Sequence, residues 1–296
     1  MIKRTLFFGN PYHISTRNLQ LNIAEKETGE VKTVPIEDIG YIVFEHPNIT
    51  FTQGVMQLLA ENNTAVIFCN DKFHPSSMLF HLDTHYIQTE RFRLQINASE
   101  PLKKQLWKQT IQSKIENQAA LLDFFDKNGE PLRYKASKVK SGDVTNEEAK
   151  AARVYWTSLF DKSFRRERYG NAPNPALNYG YAILRAATAR ALAGSGLLST
   201  LGIHHRNKYN SFCLADDIME PYRPYVDQLV NEMYIEGKDC AVLGKGEKAH
   251  ILTLLTTDVS INEQSSPLMV ALSKTTASLT KCFEGSIKRI IYPVLK

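Results

Sequence analysis

At 296 residues the chain is long enough for one large or two ordinary domains, each burying its own core. Hydrophobic residues make up 43% and charged residues 23%, close to soluble globular averages, which excludes disordered and fibrous classes. The formal charge of +5 permits a polyanionic partner without requiring one.

The opening Met1-Ile-Lys-Arg, followed by Leu6-Phe7-Phe8 and Gly9-Asn10-Pro11, is too short and too soon interrupted for a signal peptide. No uncharged apolar run reaches the length of a membrane span, so a cytoplasmic chain without a membrane partner is expected. Cys69, Cys213, Cys240 and Cys282 form no pair at zinc-site spacing and read as reduced thiols.

Up to about Asn70 the pattern is mostly of period two. Leu19, Leu21 and Ile23 alternate with polar residues, and Glu27-Thr28-Gly29-Glu30 turns the chain into Val31–Val34, which predicts a hairpin. Ile36–Phe44 continues as strand, Thr52–Glu61 reads as a short helix with Val55, Leu58 and Leu59 inward, and Ala65–Cys69 reads as a buried strand. His13, His46, His74, His81 and His85 share no spacing and no carboxylate cluster, and read as turn or surface histidines. From His74 to Asn97 the composition shifts, a candidate linker running into a helix.

Beyond Pro101 the period becomes helical, with Leu102, Leu106, Ile111, Ile115, Ala119, Leu121, Leu122 and Phe125 on one face. A Lys-rich polar insert, 135–140, leads to a new helix near Asn146, which Thr145 or Asn146 could cap. Glu147 and Glu148 lie in its first turn, where the helix dipole alone accounts for acidic residues. Glu148 shares a face with Ala152 and Tyr155, beside small Ala149 and Ala151 that leave room for a ligand or another helix. Arg165, Arg166 and Arg168 form a basic run flanked by aromatics, suited to a phosphate backbone or simply to a solvated face. A long helix follows from Ala176 to about Ala193, then further helices to the end, with no internal repeat and no phosphate-binding glycine loop. The fold class expected is α+β: a small β-rich domain over 1–80, a linker over 81–100, and a larger all-α domain over 101–296.

The segment 202–224 concentrates metal-ligand chemistry. His204 and His205 precede a polar loop, and the acidic turn Asp216-Asp217-Ile218-Met219-Glu220 is stopped by Pro221. Residues three and four apart share a helical face, so Asp216, Asp217 and Glu220 can cooperate. Their mutual repulsion calls for a cation, either a divalent ion or Arg206 and Arg223.

Four segments carry a family resemblance: 146–156, Asn-Glu-Glu-Ala-Lys-Ala-Ala-Arg-Val-Tyr-Trp; 174–181, Asn-Pro-Ala-Leu-Asn-Tyr-Gly-Tyr; Gly202-Ile203-His204-His205; and 217–224, Asp-Ile-Met-Glu-Pro-Tyr-Arg-Pro. In this order they resemble the CRISPR-associated integrase and endonuclease family, the larger subunit of the spacer-acquisition complex. The resemblance implies a metal-binding and catalytic triad of Glu148, His205 and Glu220, with Ala149 standing where the family usually has Gly. It implies Mg²⁺ or Mn²⁺ as cofactor; Arg223 and Asp217 are candidates to orient Glu220 and His205, and Tyr155 and Asn178 to line the pocket. It also implies an N-terminal domain that forms a homodimer, and a small ferredoxin-like CRISPR partner subunit. The same resemblance implies other adaptation or effector proteins as further partners. The substrates implied are double-stranded DNAs, a spacer precursor and a CRISPR repeat, joined through 3′ hydroxyls by transesterification.

Two other functions are compatible with the same residues. A metal-dependent DNA or RNA endonuclease would use the same triad with water as nucleophile. A non-catalytic nucleic-acid scaffold would make the acidic cluster structural.

Overall fold

The computed structural model describes residues 3–79 and 84–296. His81, the expected boundary between residues 80 and 81, and Met1-Ile2 of the opening segment lie outside the described residues. The chain divides into two compact units, Met1–Thr84 and His85–Lys296.

The first unit contains β1 (Arg4–Phe8), β2 (Tyr12–Arg17), β3 (Gln20–Glu25), β4 (Val31–Pro35), β5 (Ile39–Phe44), β6 (Thr50–Phe51), α1 (Gln53–Glu61), β7 (Ala65–Cys69) and β8 (Pro75–Leu79). One sheet runs β1-β5-β7-β8, with β5 parallel to both β1 and β7 and β8 antiparallel at the edge. All six residues of β5 are buried, as a central parallel strand requires. The second sheet runs β4-β3-β2-β6. Its β3–β4 hairpin turns at Gly29, whose φ of 71° suits glycine. Leu19, expected inside a strand, instead sits exposed in the two-residue β2–β3 turn, where it and Asn18 both take positive φ. The core between these elements is Ile14, Leu21, Ile36, Ile39, Ile42, Val55, Leu59 and Val66 with Phe8 and Phe44. Two histidines of this unit are tied into the fold by single ring bonds: His13 Nδ1 to Thr50 Oγ1 on the neighbouring strand at 2.9 Å, and His46 Nδ1 accepting from the Asn48 N–H.

The second unit is largely helical: α2 (Gln88–Ile96), α3 (Glu100–Phe124), α4 (Glu130–Lys138), α5 (Glu147–Leu159), α6 (Asn174–Gly194), α7 (Cys213–Met219), α8 (Arg223–Ile235), α9 (Lys245–Leu252) and α10 (Leu268–Phe283). Ser99 caps α3 by accepting from Leu102 N, and Pro101 occupies its first turn, where a missing N–H costs nothing. Helix α3 packs on α4, α5 and α8, and α6 packs on α7, α8 and α10. The α6–α8 approach is so close that a Cβ on Gly180 would lie 2.4 Å from Val226 Cγ1. Among the described residues no helix is long and apolar enough to cross a membrane.

Three expectations for this unit are corrected. The segment read as a linker contains α2, which belongs to the helical unit. Lys135 to Lys138 of the supposed polar insert lie in α4, whose buried Leu132 and Ala136 give it an apolar face. The unit is also not all-α: β9 (Asp258–Ile261), β10 (Gln264–Pro267) and β11 (Pro293–Val294) form a small antiparallel sheet ordered β10-β9-β11. Its hairpin turns at Asn262-Glu263, both at positive φ, a turn without the glycine that would have announced it.

Candidate active site on the helical unit

Glu148 is placed by a doubly capped helix start. Asn146 accepts from Ala149 N with its side chain, and the buried Asp143 accepts from the backbone N–H groups of both Glu147 and Glu148, at 2.9 and 3.0 Å. The two glutamates then part. Glu147 pairs with Lys150, three residues on, at 2.7 Å, whereas Glu148 turns to α3, where its Oε1 meets Lys114 Nζ at 2.6 Å.

Glu220 follows directly on α7 and is buried. Its Oε2 lies 2.6 Å from the same Lys114 Nζ, so one ammonium stands between the two carboxylates. Its Oε1 lies 2.9 Å from Arg223 Nε. The Lys114 contact is a close charge-assisted pair, whereas the Arg223 Nε contact is an ion pair without hydrogen-bond alignment. Burial pushes the Glu220 carboxyl up, but Arg223 and Lys114 prevail and hold it below the usual range. Burial likewise pulls the Lys114 ammonium down, and Glu220 and Glu148 together outweigh that and hold it above the ordinary lysine range.

His205 is oriented from behind. The fully buried carboxylate of Asp217 accepts from the backbone N–H groups of His204 and His205 and meets His205 Nδ1 at 2.5 Å. That bond raises the His205 pKa against the effect of burial. It also leaves Nε2 as the outward nitrogen of a ring whose side chain is 45% exposed. Gly202 makes this arrangement possible, because a Cβ there would lie 2.4 Å from the His205 carbonyl oxygen and 2.7 Å from Asp217 Oδ2. Trp107 of α3 supports both rings, stacking flat on His204 at 4.1 Å and meeting His205 edge-on at 5.7 Å. Gln95 of α2 holds the preceding loop, donating to the Leu198 and Leu201 carbonyls and accepting from Leu198 N.

The remaining expected residues divide. Asp217 and Arg223 touch His205 and Glu220 respectively. Tyr155 does not line the pocket: its hydroxyl is buried and donates to Asp227 at 2.7 Å. Asn178 instead ties down the basic loop, accepting from Arg166 and donating to the Arg168 carbonyl. Arg166 is committed inward, to Asn174, Asn178 and the Tyr181 ring, while Arg165 and Arg168 are exposed. A cavity of about 480 Å³ opens beside His205, walled by Lys103, Arg206, Lys208, Asn207 and Asn210 among others.

Hard carboxylate oxygens with one imidazole nitrogen suit Mg²⁺ or Mn²⁺. Two of those donors, Glu148 and the buried Glu220, already share one cation position, so the residues fit such an ion. With the lysine between them, no three His, Cys, Asp or Glu side chains among the described residues converge at ligand geometry. Lys114, Gln95, Trp107 and Asp143 escaped the sequence reading. Lys114 alone left a signal, as a charge on the buried face of α3, three residues from Ile111 and seven from Trp107.

The fold thus defines a two-unit α+β protein whose helical unit sets Glu148 and Glu220 on one lysine and holds His205 against Asp217. The family model described as CRISPR associated protein Cas1 matches residues 7–239. The CRISPR-associated endonuclease Cas1 of Neisseria meningitidis is 40% identical over 280 residues, covering 94% of this chain and 91% of that protein. One Cas1 endonuclease of Francisella tularensis subsp. novicida is 25% identical over 74% of this chain and 78% of its own. The chain belongs to the Cas1 family. Its fold is shared with a CAS1 protein from Thermotoga maritima, at a TM-score of 0.75 and 14% identity over 95% of this chain and 97% of that one. It is shared as well with a casposase bound to integration product, at a TM-score of 0.81 and 19% identity over 98% and 92%. A Cas6-RT-Cas1–Cas2 complex contains a chain that matches 97% of this one over 35% of its own length, at a TM-score of 0.73 and 18% identity.

Proposed function

We propose that this chain is a metal-dependent DNA integrase of CRISPR adaptation, which joins the 3′ hydroxyl ends of spacer-precursor DNA to a CRISPR repeat. The observation that carries this reading is the meeting of Glu148 and Glu220 on one cation position, beside an imidazole fixed by Asp217. Membership of the Cas1 family supports it, as does the fold shared with a casposase captured on an integration product.

Glu148, Glu220 and His205 Nε2 are the side chains that would hold Mg²⁺ or Mn²⁺. When bound, the ion supplies Lewis acidity to a phosphate oxygen and an attacking hydroxyl. The protein's own part is positional. Asp217 fixes the His205 ring and tautomer, Arg223 keeps Glu220 ionised, and the capped start of α5 holds Glu148. The exposed Arg165 and Arg168 and the cations around the cavity offer positive charge to DNA backbones.

Transesterification conserves phosphodiester bonds. The donor 3′ oxygen forms a bond to phosphorus, the bond to the 3′ oxygen of the repeat strand breaks, and the proton lost by the attacker replaces the bond on the leaving oxygen. No nucleotide cofactor is needed. Homodimerisation and a small ferredoxin-like partner subunit belong to the same reading, supported for the partner by the Cas1–Cas2 complex whose fold this chain shares.

The test is a half-site integration assay on repeat DNA with labelled donor and Mg²⁺ or Mn²⁺. Joined strands from the wild type, absent with Glu148→Ala, His205→Ala and Glu220→Ala, are expected. Cutting without joining would instead give water as the nucleophile, consistent with the name endonuclease that the Neisseria relative carries. Undiminished joining in all three variants would leave the acidic cluster a structural one.

A further inference from the structure

Lys114 has an unusual position for a lysine. It projects from the middle of the 25-residue α3, on the face that buries Trp107, Ile111 and Ile115, and its side chain is 11% exposed. Burying an ammonium is costly unless it is paired, and this one is paired twice, at 2.6 Å to Glu148 and 2.6 Å to Glu220. Two carboxylates drawn together in a partly buried site need a cation between them, and without one their repulsion would drive them apart or force one to take a proton. The lysine meets that need with no bound ion.

The same geometry sets a conflict. A divalent ion held by Glu148 and Glu220 would need the place that the ammonium now fills, and two like charges cannot share it. Helix α3 is fixed by its packing and cannot withdraw, but a lysine head rides on a flexible four-carbon stem. Arg223 contacts the other oxygen of Glu220 and need not move for the exchange.

Building on the metal-centre reading above, we propose that Lys114 is an internal counter-cation that the divalent ion displaces. Metal affinity is then set by exchange: one bound ammonium leaves the carboxylates as one divalent ion enters. The site holds together without metal, and metal binds more weakly than its two carboxylates and histidine would otherwise allow. A lysine that served only to orient the ligands would have the opposite effect, since its loss would weaken metal binding.

The experiment is calorimetric titration of Mn²⁺ into the full chain, comparing wild type, Lys114→Gln, Lys114→Met and His205→Ala. In parallel, mass spectrometry follows acetylation of Lys114 by an amine-reactive ester in wild type, with and without saturating Mg²⁺. Exchange predicts at least tenfold tighter Mn²⁺ binding in the Gln and Met variants, weaker binding in His205→Ala, and faster acetylation of Lys114 when Mg²⁺ is present. Unchanged or weaker binding in both folded lysine variants overturns the exchange and leaves the metal centre standing. Should neither variant fold, the wild-type labelling decides, and unchanged acetylation under saturating Mg²⁺ overturns it. Absence of Mn²⁺ binding in every protein, wild type included, overturns the metal centre and the exchange together.

Discussion

Asp227 of α8 offers a quantitative test of the buried polar network behind the site. Its carboxyl is enclosed and accepts hydroxyl hydrogen bonds from Tyr155, at 2.7 Å, and from Tyr181. Burial pushes it from 3.8 up to about 6, although the tyrosines, Arg223 and Arg166 pull the other way. An acid whose pKa is raised on folding stabilises the native state most when protonated. Its contribution is complete below the unfolded pKa and is lost as pH rises through the folded one. At about 1.4 kcal/mol per pH unit the whole effect is about 3 kcal/mol. About half of it, roughly 1.5 kcal/mol, should disappear between pH 5 and pH 7.5. Asp227→Asn removes the titration while keeping one acceptor, at a pH-independent cost of about 1 kcal/mol for the rearranged hydroxyl bonds. Urea unfolding of wild type and variant at half-unit steps from pH 5 to 7.5 measures the difference. The wild type should lose stability relative to the variant by about 1.5 kcal/mol across that range. A constant difference, or one that grows in the wild type's favour with pH, would refute the reasoning.

Gly202→Ala puts a methyl group 2.4 Å from a backbone carbonyl that cannot retreat without moving His205, so a loss of about 1 to 3 kcal/mol is expected, read by chemical denaturation. Asp217→Asn cannot accept all three of the donors that Asp217 now satisfies, and Mn²⁺ affinity measured by calorimetry should fall about 10- to 100-fold with the fold intact. Gln95→Leu abolishes three hydrogen bonds to the loop before the histidines, and should cost about 2 to 3 kcal/mol and make residues 198–206 a new site of limited proteolysis. Glu147→Ala should leave strand joining at the wild-type level while Glu148→Ala abolishes it, because only Glu148 faces the shared cation; equal losses would break that distinction.

What could be read beforehand follows how local each signal is. The start of α5 was legible because Asn146 and the acidic first turn act within four residues, and Asn146 does cap it. The Glu27–Glu30 turn was legible for the same reason, carried by Gly29 at positive φ, whereas Gly202 entered only within a family motif and its steric need shows only in the fold. The β9–β10 hairpin was not, because Asn262-Glu263 adopts positive φ without glycine and because its strands span only four residues each. Tyr155 and Asn178 were expected to line the pocket. Their partners, Asp227 and the 166–168 loop, are set by how helices pack, which no local pattern encodes. Lys114 lies 34 residues from Glu148 and 106 from Glu220, so its role emerges only once α3, α5 and the turn after α7 converge.

The charges around the site form one connected system. Arg223 bridges its two halves, contacting Glu220 on one side and stacking on Tyr181, the partner of Asp227, on the other. Lys114 touches both Glu148 and Glu220 and Arg223 touches Glu220, so these four side chains, with Asp217 set apart behind His205, put two cations against two anions. Exchange of the lysine for a divalent ion would raise their charge by one unit, in a partly buried place where excess charge is expensive. A phosphodiester brings one negative charge. On the proposed reading, the ion binds weakly to the protein alone and tightly once DNA lies across the site, so that metal and substrate stabilise each other's binding by reciprocal coupling.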